Sequence, residues 1–417
     1  MIPTATYRLQ FRNGMTFDRA AALVPYLKNL GISHLYASPI FTATKASTHG
    51  YDVTDANEIE PSIGGREGFE RLVAELKAQG LGLIIDIVPN HMASSLENAW
   101  WRDVLEYGKE SRYARHFDID WSRRLTLPFL GDTFDAVLEN GEIAIKPDPA
   151  TGKPAFAYYD NYSGLNALKI RFEAFVEKAL REAKLRTDWV DSNEAYETAM
   201  LDYARYLLAP DNQTFLQDFY RSLQPFIRAG LVNSLTQTVI KLTAPGVPDI
   251  YQGSEALNFS LVDPDNRREP DFATLAQQLD QLTPGVFSRE ESWLNGQVNQ
   301  YVTAALLRLR QQNHELFRFG DYIPLRAVGQ RADKVIAYAR VNHDDALIVV
   351  APRLVFAECD GLLSQSHSGF WSGTDIIIPG QLNQHRYRNV LTQERLMPGE
   401  RLSLASHQGG VLVLMSD

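Results

Sequence analysis

The sequence predicts an α/β chain: an incomplete (β/α)8-type barrel with a helical segment, followed by a C-terminal antiparallel β-sandwich. Three observations carry this expectation. Short apolar runs alternate with amphipathic helical patterns over the first 110 residues, as parallel βαβ units do. Only helical patterning is found from Leu168 to about Thr243. Beyond Gly320, strand-like segments follow one another with turn residues between them.

In chain order, "TATYRLQF" (4–11) reads as a first strand and "TFDRAAALVPYLKNLG" (16–31) as an amphipathic helix ended by Gly31. "SHLYASPI" (33–40) is a second strand. "GREGFERLVAELKAQG" (65–80) is a second helix with Gly80 closing it, and "LGLIIDIV" (81–88) is a third strand. Between 124 and 159, "RLTLPFLG", "EIAIKPD" and "AFAYY" suggest short strands in an irregular insertion. Helices are expected over 168–186, 194–208, 213–224 and 228–242, with Asp191 to Glu194 fitting a capping box. "GVPDIYQG" (246–253) has the pattern of one more buried strand, and 270–318 is again helical. The tail "KVIAYARV", "DALIVVAPRLVF", "TDIIIPG", "RYRNVL" and "GGVLVLM" makes the sandwich. The implied units are 1–110, 111–167, 168–319 and 320–417. Four parallel strands are legible, where a closed barrel of this kind has eight.

Composition narrows the partners. The chain carries 41 basic and 51 acidic residues, a net charge of −10. Nucleic acid and anionic membrane both favour a basic face, so neither is expected. The single cysteine, Cys359, forms no intrachain disulfide, which fits a reducing cytoplasm. The start "MIPTATYRLQF" lacks the basic and long apolar regions of a signal peptide, and no apolar run approaches the roughly 20 residues of a membrane span. A cytoplasmic location is the expectation.

Chemistry is sought at the C-terminal ends of the strands, where barrel enzymes place their working groups. Three such ends are polar. "TKASTHGYDVTD" (44–55) brings His49, Tyr51, Asp52 and Asp55; the third strand leads to Asp86, Asn90 and His91; the late strand leads to "YQGSE" (251–255) and "LVDPDNRREPDF" (261–272). Trp100 and Trp101 stand close by in sequence. Rings beside carboxylates and amides, with no glycine-rich phosphate loop, suit a sugar, whose apolar face they cover and whose hydroxyls they bind. Each group also has a structural reading. Asp86 serves equally as a carboxylate tying loops together, and Asn90 and His91 as loop caps. The tryptophans point in two directions on a helix, so at least one packs in a core. No pair of histidines has metal-ligand spacing, and neither metal nor cofactor is expected.

The segments "PTATYRLQF", "HLYASPIFTATKASTHGYDV", "DIVPNHM", "FDIDW", "KLTAPGVPDIYQGSE" and "LSLVDPDNRR" together resemble the α-amylase superfamily, glycoside hydrolase family 13. Within it they are most similar to the malto-oligosyltrehalose synthase branch, of which "STHGYDV" and "LVDPDNRR" are distinctive. The resemblance implies a malto-oligosaccharide substrate. It implies an intramolecular transglucosylation that turns the reducing-end α-1,4 bond into the α,α-1,1 bond of trehalose, by a retaining mechanism. It places Tyr51 on the glucose at the cleavage subsite, His91 on its hydroxymethyl group, Asp86 as the organising carboxylate and Asn90 as a brace between loops. Gln252 to Glu255 would close the barrel at its eighth strand. His49, Tyr51, Asp52, Asn90, His91, Gln252 and Glu255 are thus the expected substrate-binding residues, with Asp86 central.

The chain departs from that pattern. The family's Arg-x-Asp-His-x-Asp-Gly segment on the fourth strand, its acid/base Glu on the fifth and its His-Asp pair after the seventh have no counterpart; the chain's His343-Asp344 lies in the sandwich. The similarity passes from "YYDNYSGLNALK" (158–169) directly to segments near the eighth strand. Candidate replacement carboxylates are Asp52, Asp86, Asp249, Glu255 and Asp263, with Asp86 best placed. The alternatives to an active synthase-like enzyme are a non-catalytic malto-oligosaccharide-binding remnant and the product of an internally deleted gene. For the remnant, self-association through open strand edges is expected, the alternative being that the helices of 168–242 cover those edges.

Overall fold

A computed structural model describes residues 2–122, 144–147, 154–157, 167–209, 211–356, 371–405 and 410–417. The strand expected at 124–131, Tyr158, Tyr159 and Cys359 lie outside the described residues. Two units are distinguished, one formed by 1–102, 222–259 and 268–417, the other by 103–221 and 260–267.

The first unit begins with β1 (Thr6–Leu9) and α1 (Phe17–Leu30). The Thr16 hydroxyl accepts from the Arg19 amide and caps α1. Gly31 ends the helix at φ 104, and a Cβ there would stand 2.9 Å from the Arg308 nitrogen and from Leu307, so only glycine closes this helix against its neighbour. β2 (His34–Ala37), the hairpin β3 (Phe41–Ala43) with β4 (Val53–Ile59), α2 (Gly65–Ala78) and β5 (Gly82–Ile85) follow, and α3 (Ala99–Tyr107) begins in this unit and ends in the other.

The second unit holds the hairpin β6 (Ala144–Pro147) with β7 (Pro154–Ala157), then α4 (Ala167–Ala183) and α5 (Glu194–Leu207). The helices are tied by charge. The Arg181 guanidinium meets Glu197 at 2.9 Å, and Arg205 meets Glu173 at 2.8 Å. The cap of α5 is Asn193, whose side chain accepts from the Tyr196 amide, and not the expected Asp191: the helix starts two residues later than a capping box from Asp191 would require.

α6 (Gln213–Thr243) is one helix where the sequence suggested two. Pro225 lies inside it and removes a single backbone donor. Beyond the proline, Leu231, Leu235, Val239 and Leu242 bury one continuous stripe. That burial outweighs one missing bond.

β8 (Asp249–Tyr251) pairs in parallel with β1, in the register Thr6↔Asp249, Tyr7↔Ile250, Arg8↔Tyr251. β1 pairs with β2, and β2 with β5, so the parallel sheet has the order β5-β2-β1-β8. Neither β5 nor β8 has a second strand partner among the described residues. Every residue of β5 is half-exposed, as suits an edge. The helical stretch 270–318 resolves into α7 (Phe272–Gln281), α8 (Glu290–Leu294), α9 (Gln297–Gln312) and α10 (His314–Phe319). Tyr7, Leu9, Leu35 and Ile250 from the sheet pack with Leu27, Leu235, Val239, Leu306 and Leu307 from the helices in one core.

Two antiparallel sheets complete this unit. β9 (Asp321–Pro324), β11 (Val335–Asn342), β12 (Asp345–Pro352), β14 (Tyr387–Asn389), β15 (Arg395–Leu396) and β17 (Leu412–Ser416) form a six-stranded sheet. β10 (Ala327–Gly329), β13 (Thr374–Ile377) and β16 (Arg401–Ser403) form a three-stranded one. Beyond the exposed Asp345, "ALIVVAP" is apolar and buried because both faces of β12 are covered. Leu347, Val349 and Ala351 face the helical core, while Ala346, Ile348 and Val350 join Ile376 and Leu402 between the sheets. His343 and Asp344 form the β11–β12 turn.

Leu35 is fully buried at the centre of the parallel sheet. Leu35→Ala is expected to cost about 2–5 kcal/mol, read as a lower midpoint in urea denaturation with an unchanged slope.

Candidate functional site

The C-terminal ends of β1, β2 and β5 carry one hydrogen-bonded cluster. Arg8 emerges from β1 toward the face opposite Tyr7 and Leu9, because side chains alternate along a strand. Its guanidinium lies 4.2 Å from the centre of the Tyr36 ring, an arrangement that fixes the plane of the fork. Nη2 donates to Asp86 Oδ2 at 2.6 Å and to the Tyr51 hydroxyl at 2.7 Å. The Tyr51 hydroxyl donates to the same Asp86 oxygen at 2.7 Å. Asp86 is held by its own backbone as well, its amide donating to the Ala37 carbonyl at the end of β2. Burial works against the Arg8 charge, but the bond to Asp86 and the Tyr51 and Asp86 charges hold its pKa above the ordinary value. Burial, with the bond to Asp86, raises the Tyr51 hydroxyl.

The 44–52 loop delivers Tyr51 to this place. Asp52 accepts from the hydroxyls of Thr44 and Ser47, and the Thr44 amide donates to the Asp52 carbonyl. Burial works to raise the Asp52 carboxyl, yet those two hydroxyl bonds keep it below the usual range. Gly50 turns the chain at φ 81; a Cβ there would stand 2.8 Å from the Arg12 guanidinium and the Pro39 carbonyl. Arg12 is itself buried, donates to the Phe41 carbonyl and lies 3.5 Å from Glu60. His49 accepts from the Tyr51 amide through Nδ1, and its ring lies 5.8 Å from the Tyr51 ring.

Of the expected site residues, Tyr51 and Asp86 meet directly, and His49 and Asp52 flank them. Asn90 and His91 are exposed on the loop after β5, and neither makes a side-chain hydrogen bond among the described residues. Trp101 is buried and Trp100 half-exposed, at the start of α3, where the Asn98 side chain caps both amides.

Two of the expected residues are enclosed in the chain. Gln252 is 2% exposed and is spent on backbone: its carbonyl accepts from the Gln10 amide and its amide donates to the Arg268 carbonyl. Glu255 is 0% exposed and lies on the core side of the sheet, where Oε1 accepts from the hydroxyls of Tyr7 (2.9 Å) and Tyr26 (2.8 Å). Both side chains are turned to partners within the chain. A polar loop after a strand looks alike whether its side chains turn to the mouth or fold beneath the sheet. Among the replacement carboxylates, Asp249 belongs to the opening residue of β8, paired with Thr6 at the start of β1, away from the strand ends that carry Asp86. Asp263, in the second unit, is paired bidentately with Arg267. Arg8, Tyr36 and Arg12 are the participants that the sequence reading did not single out; the motif signal lay in the loops, and these lie on or beside strands.

Burial pushes the Glu255 carboxyl above its usual range, against the lowering effect of the two tyrosine hydroxyls. Its Oε2 is enclosed without a hydrogen-bond partner. Burial lowers the Lys241 pKa, against the raising effect of the Asp249 and Glu255 charges, and its ammonium donates to the Asp249 carbonyl. No group of three or more His, Cys, Asp or Glu residues suited to a metal ion occurs among the described residues, and no described helix is long and apolar enough to cross a membrane.

Residues 21–164 match the model of the alpha amylase catalytic domain. A putative maltooligosyl trehalose synthase of Mycobacterium tuberculosis is 45% identical over 166 residues, which cover 36% of this chain and 22% of that protein. An intracellular maltogenic amylase of Bacillus subtilis is 36% identical over 110 residues, covering 26% and 17%. The chain thus spans less than a quarter of the length of these curated relatives. The structure of maltooligosyltrehalose synthase from Arthrobacter ramosus superposes with a TM-score of 0.79 at 18% identity, covering 100% of both chains. A hypothetical maltooligosyl trehalose synthase from Sulfolobus tokodaii gives 0.70 at 18% identity. The fold is therefore of the alpha-amylase type, with helices, sheets and an antiparallel C-terminal region, and the chain has maltooligosyl trehalose synthase homologues.

Glu255 binds its proton more tightly in the folded chain than in the unfolded one. Its contribution to stability is complete below the ordinary carboxyl range and declines as pH rises toward the folded value. In thermal denaturation followed from about pH 5 to about pH 8, Glu255→Gln is expected to lose less stability than the unmodified chain over the same span.

Proposed function

From the match of residues 21–164 to the alpha-amylase catalytic domain, we propose that the chain recognises malto-oligosaccharides and rearranges them in the manner of a maltooligosyl trehalose synthase. The observation that carries this reading is the Arg8–Tyr51–Asp86 cluster at the strand ends, with an aromatic face and a charged fork side by side. A pyranose ring would lie on Tyr51, with His49 beside it. His91 would bond the hydroxymethyl group and Asn90 would brace the loops. Asp86 takes both of its donors on one oxygen, which suits an organising carboxylate rather than a nucleophile. A retaining transfer needs two carboxyl groups about 5–5.5 Å apart. Asp52, which already accepts two hydroxyl bonds, is the remaining carboxylate of the same loop system. A binding-only role is the second reading, raised by the sequence having no counterpart of the family's fourth-strand segment.

On this reading the parallel sheet is a barrel fragment of strands one, two, three and eight. A second copy turned about an axis parallel to the strands would set its β8 edge against β5 and keep every strand parallel. A cytoplasmic location accompanies the proposal.

Incubation with maltopentaose, following reducing ends and chain length together, tests the activity. Loss of reducing ends at constant length is the expected result; shortening would mean hydrolysis, and unchanged sugar with measurable affinity would mean binding alone. Asp86→Asn is expected to lower the rearrangement about 10²-fold, since it loosens the geometry on which the site depends. Light scattering over a wide concentration range is expected to show self-association; a monomer throughout would sink the closed-pair arrangement.

A further inference from the structure

A cavity of about 490 Å3 opens at the other end of the parallel sheet. Its wall takes Thr4, Ser33, Gly80 and Gly246, which precede β1, β2, β5 and β8, together with residues of α1, α9 and α10. Its charge contrasts with that of the whole chain. Lys28, Arg310 and Arg318 contribute to the wall with His314, and no Asp or Glu does so among the described residues. His314 has an acidic partner, Glu315 at 3.0 Å.

Arg310 is the unusual member. It is 2% exposed, and its bonds go to backbone carbonyls: Nε to Thr4 (3.0 Å), Nη1 to Leu242 (3.0 Å) and Nη2 to Gly246 (2.5 Å). Leu242 lies in the last turn of α6, whose carbonyl ends offset part of the charge. Burial and the nearby Arg340 bring the Arg310 pKa down to about 10. A guanidinium has five donors, so three bonds leave capacity unused. The Thr4 hydroxyl, on the same wall, is enclosed without a hydrogen-bond partner. Ile32 and Phe317 give the cavity an apolar floor, and Val247, half-exposed, an apolar rim.

A buried cation, an unused hydroxyl donor and two flanking cations demand an acceptor of negative charge, and the floor demands an apolar body. We infer that this cavity binds a small organic anion, a phosphate or carboxylate head group attached to an apolar moiety. The head would sit among Arg310, Lys28, Arg318 and the Thr4 hydroxyl; the body would lie on Ile32, Val247 and Phe317. A malto-oligosaccharide carries no charge, so this site is separate from the one at the opposite strand ends.

Isothermal titration with phenyl phosphate tests the inference, with inorganic phosphate as the head alone and benzyl alcohol as the body alone. Saturable binding of phenyl phosphate at one site is expected, with inorganic phosphate at least about tenfold weaker and benzyl alcohol weaker still. Lys28→Gln combined with Arg318→Gln changes only exposed side chains and is expected to weaken phenyl phosphate about tenfold or more. Val247→Trp, at an exposed position on the rim, is expected to abolish binding by filling the cavity while circular dichroism stays unchanged. Absence of saturable heat would overturn the inference, as would an affinity untouched by either variant. Competition by maltopentaose would overturn it too, by placing the ligand at the other end of the sheet.

Discussion

The alternation of side chains along β1 is the constraint on which the rest of the first unit depends. Arg8 and its neighbours Tyr7 and Leu9 must leave the strand on opposite sides. One side supplies the cation that gathers Asp86 and Tyr51 at the strand ends; the other supplies the phenol that reaches Glu255 beneath the sheet. A slip of one residue would put Arg8 in the apolar core and Tyr7 in the mouth. Pairing on both edges, to β2 and to β8, holds the register. The Arg8–Asp86 contact is largely removed from water, with 9% and 18% of the side chains exposed. Such a pair contributes modestly as a whole, whereas loss of one member leaves a charge stranded.

Buried charge in this unit is mostly basic, although the chain is acidic overall. Arg8, Arg12, Arg310 and Arg340 are all buried, against Glu255 in the same unit. Two of the four are held by carbonyls rather than carboxylates. Arg310 gathers the carbonyls of Thr4, Leu242 and Gly246, and Arg340 those of Thr243, Leu316, Phe317 and Gly320. A planar fork reaches several carbonyls at helix ends at once, which a lysine ammonium does less well. These two side chains tie α6, α9 and α10 to the sheet and to β11.

Much of this was legible in the sequence because local rules and global placement agree. Thr16 and Gly31 bracket α1 as caps, and the apolar runs at 33–40 and 81–88 hold β2, which is mostly buried, and β5, the half-exposed edge beside it. The parallel neighbour of β1 was legible too, since "GVPDIYQG" is short, apolar and followed by a polar loop. What was not legible has a common cause: it depends on direction, not on pattern. Glu255 follows a strand as a mouth residue would, but turns inward to Tyr7 and Tyr26. Arg8 sits amid apolar letters, and its partner lies 78 residues away. Pro225 marks a break by propensity, yet the stripe beyond it continues the same helix.

The pairing of Thr6 with Asp249 joins residues 243 positions apart. During synthesis β1 therefore emerges long before its second neighbour exists. β2 can cover one edge early, since it follows after a single helix. The other edge waits for the segment 243 positions further on, and loop closure over that distance is slow and entropically costly. The nascent chain thus passes through a stage in which its central strand is half-paired, and in that interval its apolar edge is most open to wrong partners.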